Sequence, residues 1–574
     1  MTNLKIDNIN VTVPEGTTIL EAAKTVGIHI PTLCHLDLHN TKMVNQVGSC
    51  RVCVVEQEGK RNLSPSCSTV CTEGMVISTS TPRAIKARRT VLELILSNHP
   101  KDCLICERNG KCELQSLAAD MGIREDKFEG KRSHNRKDVS SKSLIRCPDK
   151  CILCRRCETM CNKVQTVGVY SAINRGFDTV IGTAYDNDMC DTACTFCGQC
   201  VSVCPTGALT QVDNTSEVWS AINNPDKFVV VQTAPAVRVA LGEMFDMPVG
   251  TSVTGKMTTA LRRLGFDKIY DTNFGADLTI MEEATEFLER FKKGGPFPLL
   301  TSCCPAWVKF IEHQFPDLLD IPSTAKSPHE MLGVIAKTYA AEKLGIDPKK
   351  MVVVSVMPCL AKKYEAARPE LGEYVDYVLS TRELAHMIKE ANIDFPAIPD
   401  SKFDDIMGES SGAADIFGTT GGVAEAAIRT ASAWLNNGKP AKIDWTEIRG
   451  IDGIREAEVD LGGGVKIKTA IANGLGNVRT ILEQIQSGEK EYHLIEVMAC
   501  PGGCVGGGGQ PYYLQHDTEV LKKRAAALYT EDKDKTLRLS NENPEIITLY
   551  KEFLGEPGSH KAHELLHTTY VKRG

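Results

Sequence analysis

Eighteen of the 23 cysteines in this chain lie between Cys34 and Cys204, and the next one is Cys303. No other feature narrows the possible folds as far, because thiols this crowded are either disulfides or metal ligands. Disulfide scaffolds are short, secreted and cysteine-dense throughout. This chain has 574 residues, and its opening MTNLKIDNIN has neither an apolar signal core nor an Arg-rich transit character. A reducing, cytoplasmic setting is therefore expected, in which the thiols read as metal ligands. At about 150 residues per domain the length allows roughly four domains. The cysteines divide them into a string of small metal modules over 1–210, then one larger domain.

A formal net charge of -7 leaves no footprint for nucleic acid or an anionic membrane. No apolar run reaches the roughly 18 residues a membrane span needs. The best, Met351 to Met357, reads as a short strand.

Local patterns place the motifs. KIDNINVTV alternates like one strand of a hairpin and Pro14-Glu15-Gly16 turns the chain, after which TTILEAAKTVG reads as a helix with Thr18 and Glu21 as a capping box and Gly27 as its stop. TVLELILSNHP (90–100) reads as a helix ended by Pro100, and 127–145 as a basic, linker-like stretch. Beyond residue 211 one theme recurs, an apolar strand entering a polar turn and then a helix: KFVVVQTAPAVRVALGEMF, PFPLLTSCCPAWVKFIEHQF and KMVVVSVMPCLAKKYEAA. HLIEVMACPGGC is a strand entering a Gly-rich turn. These predict open parallel α/β sheets with ligands at the carboxyl ends of the strands, where the cysteines fall.

The spacings carry the chemistry. Cys34, Cys50, Cys53 and Cys67, spaced C-x15-C-x2-C-x13-C, suit a 2Fe-2S cluster or a structural zinc. His99, Cys103, Cys106 and Cys112 suit a zinc knuckle or a cluster with one imidazole ligand. Cys151-x2-Cys154-x2-Cys157-x3-Cys161 recurs as Cys194-x2-Cys197-x2-Cys200-x3-Cys204-Pro205. That is the bacterial two-cluster run, in which the fourth cysteine of each motif serves the other cluster. Cys151, Cys154, Cys157 and Cys204 are thus expected around one 4Fe-4S, and Cys194, Cys197, Cys200 and Cys161 around the second. Cys71, Cys147 and Cys190 are expected to be packed thiols. For Cys304, Cys359, Cys500 and Cys504, spacing alone leaves open one more 4Fe-4S or buried thiols.

The first of these stretches resembles plant-type ferredoxins and the 2Fe-2S domain of respiratory complex I. HPKDCLICERNGKCELQ resembles the His-ligated 4Fe-4S site of complex I and of iron-only hydrogenases. TSCCPAW, MPCLAKK and EVMACPGGCVGGGGQP resemble the three signature segments of iron-only (FeFe) hydrogenases, and the likeness covers essentially the whole chain. It implies a multidomain α/β chain with small Fe-S modules. These are a β-grasp 2Fe-2S domain (1–79), a 4Fe-4S domain ligated by one His and three Cys (80–126), a two-cluster ferredoxin domain (127–210) and a large α/β H-cluster domain (211–574) with a small-subunit-like end. The implied cofactors are one 2Fe-2S, three 4Fe-4S (one His-ligated) and an H-cluster, a 4Fe-4S cubane joined to a di-iron unit with CO, cyanide and a dithiolate bridge.

By the same resemblance Cys304, Cys359 and Cys500 hold the cubane and Cys504 bridges to the di-iron unit. Ala234, Pro235, Met357, Lys362 and Met498 surround that unit, with Lys362 donating to a cyanide. Cys303 is the first proton donor, Glu283, Ser323 and Glu286 the relay, and Arg290 its surface end. Taken without the resemblance, Glu283, Glu286 and Arg290 at i, i+3 and i+7 read as a solvated helix face. His329 stands where many relatives carry Gln after KSP.

The implied activity is reversible conversion of two protons and two electrons into H2. No GxGxxG opens a helix after a strand, so no nicotinamide or flavin site is expected within the chain. SCRVCVVE and HPKDCLICERNGKCELQ resemble the large subunit of complex I, and among hydrogenases the chain most resembles the catalytic subunits of NAD(P)-linked, multi-subunit enzymes, including electron-bifurcating ones. Flavin-bearing partner subunits in a hetero-oligomer follow from that, with a stand-alone ferredoxin-linked enzyme as the alternative. A non-catalytic relay subunit would need no TSCCP, MPC and ACPGGC set. Hydrogenase-like assembly or H2-sensing proteins tend to lose the free thiol or relay carboxylates, and Cys303, Glu283 and Glu286 are all present.

Overall fold

Thr18 accepts from the Glu21 amide while the Glu21 carboxylate accepts from the Thr18 amide, so the helix Ile19–Thr25 starts at its capping box. The computed structural model describes residues 1–573 apart from 39–40, 42, 46–47, 126 and 513–517. The stretch read as one strand is a hairpin, Thr2–Ile6 against Ile9–Val13. Asp7 and Asn8 both take left-handed backbone (φ 44 and 68), the turn that matches strand twist and that these residue types tolerate. Thr2–Ile6 also pairs in parallel with Met75–Ser78, and a five-stranded sheet covers the helix with Ile6, Val11 and Val13.

The next helix runs Pro82–Asn98, starting earlier than 90 because Thr81 caps the Ala84 amide and Pro82 occupies its first position. It stops before Pro100, as expected. Residues 127–145 are more than a linker. Asp138 is buried and accepts from the Ser140 and Met189 amides, and Leu144–Arg146 pairs with Leu209–Gln211.

The large domain holds two four-stranded sheets. In the first, Lys268–Asp271, Phe228–Thr233, Met351–Met357 and Tyr377–Ser380 are all parallel. In the second, Leu299–Leu300, Leu494–Met498 and Lys466–Asn473 are parallel, but Ile454–Asp460 joins antiparallel at the edge. That corrects the all-parallel expectation. The edge strand carries charges and leads into its neighbour through a short Gly-rich turn, which only an antiparallel pair permits. The helix Thr272–Lys293 lies between the sheets. Phe274 and Leu278 pack into the core of the first, Ala276 and Ile280 into that of the second. Four strands therefore end close together, leading to Ala234, Cys303, Cys359 and Cys500. Among the described residues no helix is long and apolar enough to cross a membrane.

Candidate functional site

In the first module Cys34 hydrogen-bonds Cys50 and Cys67, and Cys53 hydrogen-bonds Cys67, all four buried. These bonds pull Cys34 far below the usual thiol range and Cys53 down to about 6, and push Cys50 and Cys67 up. Thiols touching in this way present the compact four-sulfur set that a 2Fe-2S cluster takes. His99 caps the Pro82–Asn98 helix. Burial, then the Lys150 ammonium, lowers it to about 4, so it is neutral, and its buried Nδ1 finds no partner among the described residues. An orphaned neutral imidazole is a metal-ligand donor in waiting. Cys112 is raised by burial, with Cys106 also acting on it. No contact recorded among the described residues joins His99 to these thiols.

Cys151, Cys154, Cys157 and Cys204 line one cavity of about 450 Å³, with Tyr170 and Pro205. Cys200 is raised first by burial and then by Cys197, Cys194 and Cys161, which places those four thiols together. The fourth cysteine of each motif thus crosses to the other set. Leu153 and Arg155, like Phe196 and Gly198, take left-handed backbone inside the two loops. The Leu153 and Phe196 amides donate to Cys151 Sγ and Cys194 Sγ, each at 3.4 Å. Such amide-lined loops suit an anionic cluster. Of the three extra thiols Cys71 is buried and Cys147 half-buried, but Cys190 is exposed, which corrects its reading as a packed thiol. It sits on the Met189–Asp191 turn and donates to Asp191.

A cavity of about 510 Å³ lies where the strand ends meet. Ala234, Pro235, Met357, Cys359, Lys362, Cys303 and Cys504 line it, as do Thr272, Ala276, His329, Phe417 and Gly418. Cys500 is raised by burial and then by Cys359, Cys304, Cys197 and Cys504, so the four large-domain thiols converge within reach of the ferredoxin module. Gly198 and Gly508 make that approach possible, since a Cβ on Gly508 would lie 2.7 Å from Gly198 Cα. Met498 is absent from the lining. It packs against Gly503, beside Cys504, and belongs to the apolar cluster that supports Cys303.

Lys362 Nζ donates to Glu365 Oε2 at 2.6 Å and to the Cys303 carbonyl at 3.1 Å. Burial opposes its charge, yet the Glu365 carboxylate keeps it raised. His329 is lowered to about 4 by burial and then by Lys362. The imidazole is therefore neutral, and the network assigns its proton to Nε2, donating to Glu365 at 2.6 Å, while Nδ1 accepts from Ser355 Oγ at 3.2 Å. Glu330 is pushed up to about 8 by burial and then by Glu365.

Glu283 lies behind Cys303, 2 % exposed, and is pushed up to about 8 by burial and then by Glu286. Ser323 Oγ donates to Glu286 at 2.9 Å, and Arg290 donates to Glu286 at 2.6 Å and to the Ile321 carbonyl at 2.9 Å. The solvated-face reading of this helix fails. Arg290 is also no surface terminus: it is 9 % exposed, and its side chain is more covered than that of Glu286. Sequence reading missed Glu365 and Glu330. Glu365 was discoverable as the carboxylate three residues after Lys362. Phe417 and Gly418, in DIFGTTGG, carry no chemical signal at all.

Residues 227–508 match the family "Iron only hydrogenase large subunit, C-terminal domain", and 518–573 match "Iron hydrogenase small subunit". Residues 1–82 match a 2Fe-2S iron-sulfur cluster binding domain, and 88–127 the NADH-ubiquinone oxidoreductase-G iron-sulfur binding region. Residues 150–208 match a 4Fe-4S dicluster domain. The NADP-reducing hydrogenase subunit HndD of Solidesulfovibrio fructosivorans is 58 % identical over 584 residues, covering 100 % of this chain and 99 % of the relative. Iron hydrogenase 1 of Clostridium pasteurianum is 42 % identical over 580 residues, covering 100 % of both. A solved [FeFe]-hydrogenase from Chlamydomonas reinhardtii superposes with a TM-score of 0.57 at 42 % identity, covering 63 % of this chain and 100 % of its own.

Proposed function

The chain belongs to the iron-only (FeFe) hydrogenases, and on that premise we propose that it is the hydrogen-converting subunit of an assembly that exchanges electrons with NADP. Bound at Cys304, Cys359, Cys500 and Cys504, a cubane and di-iron unit supply the redox chemistry that joins two protons and two electrons into H2. The donor set suits that group, since four soft thiols meet beside a mostly apolar cavity that holds one fixed ammonium. The polypeptide does the rest. Burial keeps the Cys303 thiol neutral, so its Sγ carries a proton at the cavity wall. Glu283 holds a proton up to about pH 8 behind it, and Ser323 and Glu286 continue the chain of hydrogen-bonding groups. Lys362 presents its ammonium to an anionic ligand, held in place by Glu365.

Electron supply follows from the remaining donor sets. Cys34, Cys50, Cys53 and Cys67 take one 2Fe-2S, His99 with Cys103, Cys106 and Cys112 one 4Fe-4S, and the two ferredoxin sets one 4Fe-4S each. The full-length likeness to a subunit named as NADP-reducing supports nicotinamide coupling through partner subunits that bind flavin and NADP, in a hetero-oligomer. Coupling to that pool suits a cytoplasmic setting. Simultaneous exchange with ferredoxin would make the assembly electron-bifurcating.

The observation that carries this reading is the meeting of Cys303, Cys504 and Lys362 at one cavity with buried Glu283 behind it. The test is an anaerobic tagged purification from the native host, recording H2-dependent reduction of NADP+ and NAD+, flavin content and native mass. Co-purified flavin subunits and NADP+ reduction are expected. A lone 62.7 kDa chain active only with a small iron-sulfur carrier would replace the NADP-linked reading.

A further inference from the structure

One buried side-chain amide bonds directly to ligand cysteines of two thiol sets. The same joint is also crossed by Ser49 Oγ donating to the Leu153 carbonyl at 3.3 Å and by Arg156 Nη2 donating to the His35 carbonyl at 3.0 Å, each one residue away from a cysteine of either set. Asn45, at the end of the strand Met43–Asn45, is 1 % exposed. Its Nδ2 donates to the Cys34 carbonyl at 2.5 Å and to the Cys154 carbonyl at 2.9 Å, while its Oδ1 accepts from Thr159 Oγ1 at 2.7 Å. Both hydrogens of one NH2 are thus spent on main-chain oxygens of two residues whose thiols belong to different sets. Cys34 belongs to the set in the first module. Cys154 lines the cavity shared with Cys151, Cys157 and Cys204.

The surrounding joint does not need this amide to stay closed. Leu36, Leu38 and Met43 from the first module pack with Met160, Val164 and Val203 from the ferredoxin module. Apolar contact already holds the faces together, so the buried carboxamide needs another reason to be there. A hydrophobic residue of the same shape would fill the space without placing a polar group out of water.

We propose that Asn45 is the positioning residue that connects the first module electronically to the ferredoxin module. The inference rests on the ligand sets proposed above. The route runs from Cys34 Sγ through its own main chain to its carbonyl, across the two hydrogens of Asn45 Nδ2, and through the Cys154 main chain to Cys154 Sγ. It contains covalent bonds and two hydrogen bonds, and no gap. Tunnelling falls off more steeply across van der Waals gaps and long hydrogen bonds than along covalent bonds, so this route outweighs one through the packed Leu and Met side chains. Its 2.5 and 2.9 Å bonds end on the ligand cysteines themselves, whereas the Ser49 and Arg156 bonds are 3.3 and 3.0 Å and reach only neighbouring residues. One electron leaves the centre on the Cys154 side, which is oxidised, and reduces the centre on the Cys34 side. No proton moves, and no bond at Asn45 breaks. A second module meets the same set independently, since Arg108 Nη2 donates to the Cys204 carbonyl at 2.8 Å. Cutting the Asn45 connection therefore leaves the Arg108 side intact as an internal control.

The experiment uses the intact assembly with Asn45→Leu, Asn45→Thr and Thr159→Val. Each is mixed with H2, freeze-quenched at a series of times and followed by EPR. Asn45→Leu removes both donors, Asn45→Thr keeps at most one, and Thr159→Val removes only the outer contact. The 2Fe-2S signal should rise several-fold more slowly in Asn45→Leu, less slowly in Asn45→Thr, and at the parent rate in Thr159→Val. The 4Fe-4S signals should keep the parent rate in all three, and a reductive titration should find the 2Fe-2S potential unchanged. Parent-rate appearance of the 2Fe-2S signal in both Asn45 variants overturns the proposal. So does equal slowing of every signal, which marks a general structural defect. If the parent assembly shows no 2Fe-2S signal, the ligand set itself is wrong, which is a separate failure.

Discussion

The ferredoxin module and the hydrogen-converting domain both gather four cysteines, but by opposite means. In the first, three of each four come from a loop of seven residues and only Cys161 and Cys204 cross over. In the second, Cys304, Cys359, Cys500 and Cys504 reach one place only because strands from two sheets end there. A loop site depends on local backbone, such as the left-handed Leu153 and Phe196 that aim amides at sulfur. A strand-end site depends on the packing of the whole domain, and its polar wall is assembled from distant parts. The two should therefore fail differently.

The largest separation is expected from Cys504→Ala. Its thiol lines the cavity and lies within electrostatic reach of Cys304 and Cys359. Activity should fall to background and the CO and cyanide infrared bands should vanish, while EPR of the N-terminal centres stays as in the parent. Retained infrared bands would refute the bridging role of Cys504 and erase the contrast at its sharpest point.

Glu283→Gln comes next. General acid-base groups typically contribute about 10²–10⁴-fold, and a loss in that range is expected with every cluster signal intact. The same variant has a pH signature. The carboxyl is held up to about 8 in the folded chain, above its unfolded value. The folded state therefore keeps a proton that the unfolded state releases, and stability is lost as pH rises towards 8. Relative to the parent, Glu283→Gln should gain thermal stability across that rise. A melting difference independent of pH would show that Glu283 is not held protonated.

The contrast also explains what was readable from sequence. The two C-x2-C-x2-C runs of the ferredoxin module, the capping box at Thr18 and the strand-turn-helix theme were legible because each is written within a short stretch of chain. The Asp7-Asn8 turn was equally local: the two adjacent polar residues break the alternation between Ile6 and Ile9, and reading the stretch as one strand passed over that break. The start at Pro82 was hidden because RAIKARR is mostly charged, although Arg88 is buried and donates to the Val54 carbonyl at 2.8 Å. Glu283 and Arg290 defeated spacing outright, because an i, i+3, i+7 pattern looks the same buried or solvated. Burial there comes from Ile321, Pro322 and Ser323, which lie far along the chain. The large-domain site was legible only by resemblance, and even that omitted Glu365, which anchors Lys362 and His329 together.

Glu365 gives the third test, on stability rather than rate. Glu365→Gln leaves the buried Lys362 ammonium without its counter-charge, and removing one partner of a buried pair costs about 3–5 kcal/mol. A lowered unfolding midpoint of the large domain is expected, together with a shifted cyanide band as Lys362 reorients. Restoring the pair by reversal should bring both back. An unchanged midpoint would mean that Lys362 finds another acceptor and that the wall is less assembled than described.

The smallest effect sharpens the comparison from the other side. Thr18→Ala removes an N-cap that accepts from the Glu21 amide, a loss worth about 1 kcal/mol. The helix it starts packs into the core of the first module, against Ile6, Val11 and Val13. If that module is a local unit, its melting should fall by this amount, the 2Fe-2S signal should be lost earlier on heating, and the large-domain transition and hydrogen turnover with a dye should not move. A matching drop in the large-domain transition would show that the two regions unfold as one. The difference between loop-built and strand-built sites would then be one of assembly alone and not of stability.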